Sequence, residues 1–281
     1  KAMYEAKRDK SGFGTCRFFE KDIEEKLQYQ NNIKTNLKSA MLNREFSLRY
    51  QPIVSLVEEK VIGFEAFIRW ESKQGTFLSP SEFIPIAEES GEIEAIGNFV
   101  LDEVAIAIGQ LNDDLDECYV SINFSSKQLF SNQQIERIEG LGLLTKQIQI
   151  EVTEKTLVEN HDKANKGLER LQKMGIKIHL DDFGTGYSSL VFLNTTDIND
   201  IKIDGTFIKQ LPQNENCKKI IKIILAMAQG LGMTVTAEGV ETKEQWDFLK
   251  SEGCDFVQGY FISEPLTLQE AIKFKKCQFV F

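Results

Sequence analysis

Eight short apolar runs, separated after the first pair by longer stretches with helical spacing, constrain this chain more than any other feature. They are Phe46–Leu56, Val61–Arg69, Cys118–Asn123, Gln147–Val152, Ile176–Leu180, Asp200–Ile203, Thr234–Ala237 and Asp255–Val257. Strands that alternate with helices form parallel sheets, because a parallel neighbour is reached only through a crossover, and eight such units close into a barrel. The link between the first two runs, Val57-Glu58-Glu59-Lys60, has hairpin length and is too short for a crossover. The expected fold is therefore α/β, a (β/α)₈ TIM-like barrel over residues 45–281 with one antiparallel strand at its start. Ahead of it, Ile23, Leu27, Ile33, Leu37 and Met41 recur at about one helical turn, which predicts an amphipathic helix from about Phe19 to Asn43, a linking segment over 21–44. Ser79-Pro80-Ser81-Glu82 carries a helix start, and Gly175 stops the helix that ends at Met174. No internal repeat or low-complexity tract marks a division within 45–281.

Polar residues recur at one place in these units, in or just after the apolar run: Glu65, Asn123, Glu151, Asp181 with Asp182, Lys202, Glu238 and Gln258. In a barrel these strand ends meet at the mouth, where the active sites of this fold lie. Any one of them also suits a helix cap or a turn, and Asp181-Asp182-Phe183-Gly184-Thr185-Gly186 by itself suits a plain strand-to-helix turn. Their joint occurrence points to a site. Alternation along Gln147 to Val152 puts Gln147, Gln149 and Glu151 on one face and Ile148, Ile150 and Val152 on the other, so the polar face lines the barrel. Lys202, between Ile201 and Ile203, also faces inward, where its burial requires nearby carboxylates.

Carboxylates gathered at one point repel one another unless a cation intervenes, which points to a hard-metal site served by magnesium or manganese rather than zinc. Adjacent Asp181 and Asp182 suit a pair of ions, an apparatus used for phosphoester hydrolysis. Lys and Arg total 33 against 43 Asp and Glu, a net charge of −10, which argues against DNA or RNA and leaves metal ions to mediate any phosphate contact. Cys16, Cys118, Cys217, Cys254 and Cys277 form no Cys-x-x-Cys pair, so reduced thiols in a cytoplasmic protein are expected. His161 and His179 lie far apart, and His179 sits in an apolar run that suits packing. No apolar run approaches the length of a membrane span, so no membrane contact is expected, and a start at Lys1 reads as an excised fragment.

The motifs Tyr50-Gln51-Pro52-Ile53-Val54, Gly63-Phe64-Glu65-Ala66-Phe67-Ile68-Arg69-Trp70, Ser121-Ile122-Asn123-Phe124-Ser125 and Glu151-Val152-Thr153-Glu154 resemble those of the EAL-domain cyclic di-GMP phosphodiesterases. The resemblance continues through Asp181 to Leu190, Ile201-Lys202-Ile203-Asp204, Ala237-Glu238-Gly239-Val240-Glu241 and Gln258-Gly259-Tyr260, and so covers nearly all of the chain from Leu42 onward. It implies a phosphodiesterase that opens cyclic di-GMP to linear pGpG in bacterial second-messenger signalling, with two Mg²⁺ or Mn²⁺ ions. Glu65, Asn123, Glu151 and Asp181 would hold one ion, and Asp181, Asp182 and Glu238 the second. By the same resemblance Lys202 would orient the attacking water, Gln258 would complete the polar network, Glu154 would support the loop from Asp182 to Ser189, and Gln51 and Arg69 would contact substrate. A homodimer is also implied, formed near the segment after the two aspartates and coupled to the mouth through Glu241. Ala2-Met3-Tyr4-Glu5-Ala6-Lys7 and Arg17-Phe18-Phe19 resemble the end of a GGDEF domain, a remnant over 1–20. That implies upstream GGDEF-like and sensor domains in a parent protein, and leaves room for a tether to the inner membrane.

The chain departs from the family pattern at three places. Phe67 stands where the signature leucine is expected, on the same strand face as Glu65 and Arg69; Asn199 and Asp197 replace a usual aspartate and proline before Lys202. Phe67 supports the alternative of a weak or inactive EAL domain that acts as a cyclic di-GMP receptor.

Overall fold

The structure, a computed structural model, describes residues 21–73, 75–112, 118–159, 161–184, 193 and 196–276. The remnant expected over 1–20 and the motif residues Thr185 to Leu190 lie outside them. The chain divides into two compact units, one of Ser47–Arg69 with Glu94 onward, the other of the residues up to Phe46 with Trp70–Ile93.

The larger unit is the barrel. Its strands are β1 (Phe46–Ser55), β2 (Val61–Glu71), β4 (Tyr119–Asn123), β5 (Ile148–Thr153), β6 (Lys177–Phe183), β7 (Asp200–Ile203), β8 (Thr234–Ala237) and β9 (Phe256–Val257). They pair in the order β1-β9-β8-β7-β6-β5-β4-β2, and β1 closes the ring on β2. Every neighbour from β2 round to β9 is parallel, while β1 runs antiparallel to β9 with Val54 opposite Val257. The closed barrel with one antiparallel first strand is the expected fold, and six of the eight predicted strands shift at their ends by one to three residues.

Period-two alternation explains the layers. Outward residues such as Ile122, Ile150, Ile178, Ile201 and Val235 form one apolar core with Val104, Ile108, Leu168, Ile221 and Leu249 of the surrounding helices. Gly175 ends the helix His161–Lys173 at a φ of 87°, a conformation glycine adopts without strain, and its N–H donates to the Gln172 carbonyl.

Inside the barrel the alternation breaks once, where it positions chemistry. The β6–β7 register shifts between Leu180 and Phe183, and Asp182 takes a φ of 56°. A bulge of this kind re-aims side chains, so the two adjacent aspartates are not simply placed on opposite faces. Below the mouth lies a second polar layer. Asp200 accepts hydrogen bonds from Thr234 Oγ1 at 2.5 Å and Thr236 Oγ1 at 2.9 Å, and His179 Nδ1 is 3.6 Å from its carboxylate. The Tyr119 ring meets His179 edge-on and fills the space beside Gly63, where an added Cβ would stand 2.6 Å from it. His179 is thus buried, as its apolar run predicted, but in a polar layer.

The smaller unit contains the helix Lys21–Leu42, which buries Ile33, Leu37 and Ala40, and the helix Pro80–Ser90. Ser79 is the N-cap and Pro80 the first helical residue, as the sequence predicted, and Glu82 accepts the Ser79 N–H at 2.9 Å. A short strand the sequence reading did not foresee, β3 (Phe77–Leu78), pairs antiparallel with Trp70 and Glu71. Phe46, Trp70 and Phe83 form an aromatic cluster with centroids 5.2 to 5.7 Å apart. The three described cysteines, Cys118, Cys217 and Cys254, are buried and not joined in disulfides. No helix among the described residues is long and apolar enough to cross a membrane.

Candidate active site

Parallel strands bring the predicted polar residues to the same end of the barrel, staggered by up to two residues: Asn123 lies opposite Glu151, Asp181 opposite Thr153, two residues beyond Glu151, and Lys202 opposite Thr236, two residues before Glu238. Lys202 stands at the centre, fully buried. Its Nζ contacts Glu238 Oε1 at 2.5 Å, Glu151 Oε2 at 2.6 Å and Glu65 Oε2 at 2.8 Å, with Asp181 Oδ1 at 3.8 Å. Three N–H donors thus meet three carboxylates. Asn123 Nδ2 donates to Glu65 Oε1 at 2.7 Å; Gln258 Nε2 donates to Glu65 Oε2 and to Gln51 Oε1, each at 3.0 Å. Gln51 in turn donates to the Ser263 carbonyl, which ties β1 to the segment after β9.

One ammonium does not balance this many acids. Against its own burial, the surrounding carboxylates Asp181, Glu151, Glu238 and Glu65 hold Lys202 well above the usual lysine range. Against the same burial, Lys202 with the Gln258 and Asn123 donors holds Glu65 below the usual carboxylate range. Burial and neighbouring acids push the others up: Glu151 well above its ordinary value, Asp181 upward, Asp182 to about 6 and Glu238 to about 8. Glu151 Oε1 is buried without a hydrogen-bond partner. Among the described residues no three acidic, histidine or cysteine side chains already form a metal cage, because the acids turn toward the Lys202 ammonium. The chemistry of the donor set is nonetheless that of a hard divalent cation: oxygen donors with surplus negative charge and an unused carboxylate oxygen.

Above this floor opens a cleft of about 430 Å³ lined by Gln51, Glu65, Asn123, Asp181, Glu238 and Gln258, with Phe67, Lys209, Glu241 and Tyr260 along its sides. Five predicted contributors are not among the lining residues: Lys202 and Glu151 lie buried beneath it, and Asp182, Glu154 and Arg69 stand apart. Glu154 accepts the N–H of Gly184, two residues beyond the paired aspartates, at 3.3 Å. Arg69 is bent back, its Nη1 donating to the Ile68 carbonyl at 3.0 Å and its guanidinium lying 5.5 Å from the centre of the Phe67 ring. Lys209 was not singled out from the sequence; it follows a short helix in a polar stretch, and only the closed ring of strands turns it toward the cleft.

The family model described as EAL domain matches residues 34–265. The chain is 35% identical over 279 residues to the bifunctional diguanylate cyclase/cyclic di-GMP phosphodiesterase MucR of Pseudomonas aeruginosa, covering 96% of this chain and 40% of that protein. It is 33% identical over 270 residues to the cyclic di-GMP phosphodiesterase PdeR of Escherichia coli, covering 94% and 40%. The solved structure of the PaMucR phosphodiesterase in complex with c-di-GMP superposes with a TM-score of 0.79 at 33% identity, over 85% of this chain and 99% of that one. The chain spans 32% to 40% of the length of the first curated relatives it matches.

Proposed function

The chain belongs to the EAL domain family, and on that premise we propose that it hydrolyses cyclic di-GMP to linear pGpG with divalent ions bound at the floor of the cleft. The observation that carries this reading is the Lys202 ammonium held among Glu65, Glu151 and Glu238 beneath an open cleft. In the reaction a water oxygen attacks phosphorus, the bond from phosphorus to the 3′ oxygen breaks, that oxygen leaves as a hydroxyl after taking a proton, and the product keeps a 5′ phosphate.

Glu65, Asn123, Glu151 and Asp181 would hold one magnesium or manganese ion, and Asp181, Asp182 and Glu238 the second. Bound there, such ions supply an acidified water and neutralise charge on the phosphoryl oxygens. Lys202 stays protonated and so serves as a fixed positive donor rather than a base; with Glu151 or Glu238 turned from it to ligate an ion, the freed N–H would orient the water and offset charge that grows on the phosphoryl group. Gln258 and Asn123 fix the orientation of the Glu65 carboxylate through their hydrogen bonds to it. Glu154 steadies the backbone at Gly184, two residues beyond Asp182. Arg69 reaches a substrate phosphate by leaving its stack on Phe67.

The test is incubation of the protein with cyclic di-GMP and Mg²⁺ or Mn²⁺, following pGpG by chromatography with a chelator control. Metal-dependent product that disappears in Lys202→Ala is the expected result. Tight binding without product would make the chain a receptor instead, with Phe67 beside Glu65 as the first residue to revert to leucine.

A further inference from the structure

Among the described residues that line the cleft, Lys209 is the one cation, set against Glu65, Asp181, Glu238 and Glu241. Its ion-pair partner is Glu241, 4.0 Å away, with the two side chains 63% and 50% exposed. An ion pair that open and that long holds its lysine weakly, so little opposes a swing of the ammonium toward a ligand. The backbones that carry the pair are locked together: Gly205 and Gly239 approach so closely that a Cβ on Gly239 would stand 3.1 Å from the Gly205 Cα. Lys209 therefore projects from a fixed base with a mobile tip.

Its place on the ring matters too. In the order β1-β2-β4-β5-β6-β7-β8-β9, the strand β7 that precedes Lys209 is four steps from β2 in either direction, so Lys209 and Arg69 stand on opposite sides of the mouth. Arg69 must leave the Ile68 carbonyl and the Phe67 ring to reach a ligand, whereas Lys209 already lines the cleft. A cyclic dinucleotide carries two phosphodiesters on opposite sides of one ring. When one lies over Lys202, the other is brought toward the rim, where the Glu241 carboxylate repels it unless a cation intervenes.

We propose that Lys209 is a substrate-specificity residue that leaves Glu241 to hold the phosphodiester that is not cleaved, and so favours two-phosphate rings over simple diesters. The proposal rests on the reading of this cleft as a cyclic di-GMP site.

The experiment compares wild type, Lys209→Ala, Lys209→Arg and Glu241→Gln on cyclic di-GMP and on bis(p-nitrophenyl) phosphate, a diester with a single phosphate. Lys209→Ala is expected to raise KM for cyclic di-GMP about tenfold, the size of one lost charge-assisted hydrogen bond, with kcat changed by less than about twofold. Lys209→Arg should recover most of that loss, and Glu241→Gln, which frees the lysine, should lower KM. The preference for the two-phosphate ring over the single diester should fall about tenfold in Lys209→Ala. An unchanged KM for cyclic di-GMP, or an equal rise on both substrates, overturns the proposal. If wild type binds the ring without cleaving it, the dissociation constant takes the place of KM, with the same tenfold expectation. A wild-type protein that neither cleaves nor binds it refutes the reading of the cleft itself.

Discussion

Lys202 and Lys209 lie seven residues apart on either side of the end of β7, and they meet opposite environments. The floor lysine is fully buried, with three carboxylates within 2.8 Å; the rim lysine is mostly exposed, with one carboxylate at 4.0 Å. The same charge therefore has different work in the two places. On the floor it is part of the structure, because acids that have lost their water need it. At the rim it is nearly free of structural duty and available to a ligand.

Removing the floor charge is the largest test of this contrast. Lys202→Met leaves Glu65, Glu151 and Glu238 buried without their common partner, and is expected to cost about 3–5 kcal/mol of stability, the scale for breaking a buried pair. Turnover of cyclic di-GMP should fall by at least about 10²–10³, the loss typical of one preorganised donor at a reacting centre. Urea unfolding and product chromatography read the two effects. A stability loss below about 1 kcal/mol would place Lys202 with the surface lysines and end the comparison.

The layer beneath the floor sharpens it. Burial raises Asp200 to about 6 despite hydrogen bonds from Thr234 and Thr236, and it is surrounded by His179, Tyr119, Lys202 and Asp255. Burial keeps His179 uncharged above about 3. The folded chain retains the Asp200 proton up to about pH 6, whereas the unfolded chain releases it near the ordinary value of 3.8. The folded state thus binds more protons in that window, and Asp200 costs stability as pH rises through it, by about 3 kcal/mol at most. Asp200→Asn removes this cost, so its stability relative to wild type should rise between pH 4 and pH 7 and level off above. A difference that stays constant with pH would show that the carboxyl titrates alike in both states.

This layering also marks what the sequence alone reveals. The strands were legible because short apolar runs recur between helical stretches, with polar alternation in some, as in Ile148 to Thr153, and because the short link after Leu56 forbids a crossover. The floor was legible because a lysine between Ile201 and Ile203 has no other tolerable place than among acids. Depth within the barrel was not: Asp200 and Lys202 share one face of β7, yet one meets two threonines and the other three glutamates, a difference set by stagger between strands. β3 was hidden because no helical stretch separates it from β2, whereas the equally short β9 follows a helix and so fits the repeating pattern. Lys209 was hidden because a lysine beyond a four-residue helix has the same local pattern as any solvated one.

Space separates interior from exterior as charge does. At Gly63 any Cβ meets the Tyr119 ring at 2.6 Å, so Gly63→Ala should cost about 1–3 kcal/mol through overpacking. Gly230, in the helix Glu215–Leu231, has nothing within 4 Å of an added Cβ, and Gly230→Ala should gain about 0.5–1 kcal/mol from helix propensity. Combining Gly63→Ala with Tyr119→Leu should recover part of the loss if the clash is its cause. Equal effects at the two glycines, read as shifts in the urea midpoint, would mean that the barrel interior yields as readily as a solvated helix.

The smallest expected effect bears most directly on the two lysines. Lys209→Ala removes a unit charge, as Lys202→Met does, but separates only an exposed pair at the limit of contact, so its cost should stay within about 0.5 kcal/mol at moderate salt. Salt should hardly change that figure, since the pair is already screened by water. The ratio between the two variants, rather than either value, is the informative quantity: about tenfold in stability separates a structural cation from one held in reserve. If Lys209→Ala instead unfolds at a clearly lower urea concentration, the rim pair bears on the packing of the segments after β7 and β8, and Lys209 is less free to leave Glu241 than its exposure implies. A variant as stable as wild type that loses affinity for the two-phosphate ring would show that a charge on the rim can serve binding without serving the fold.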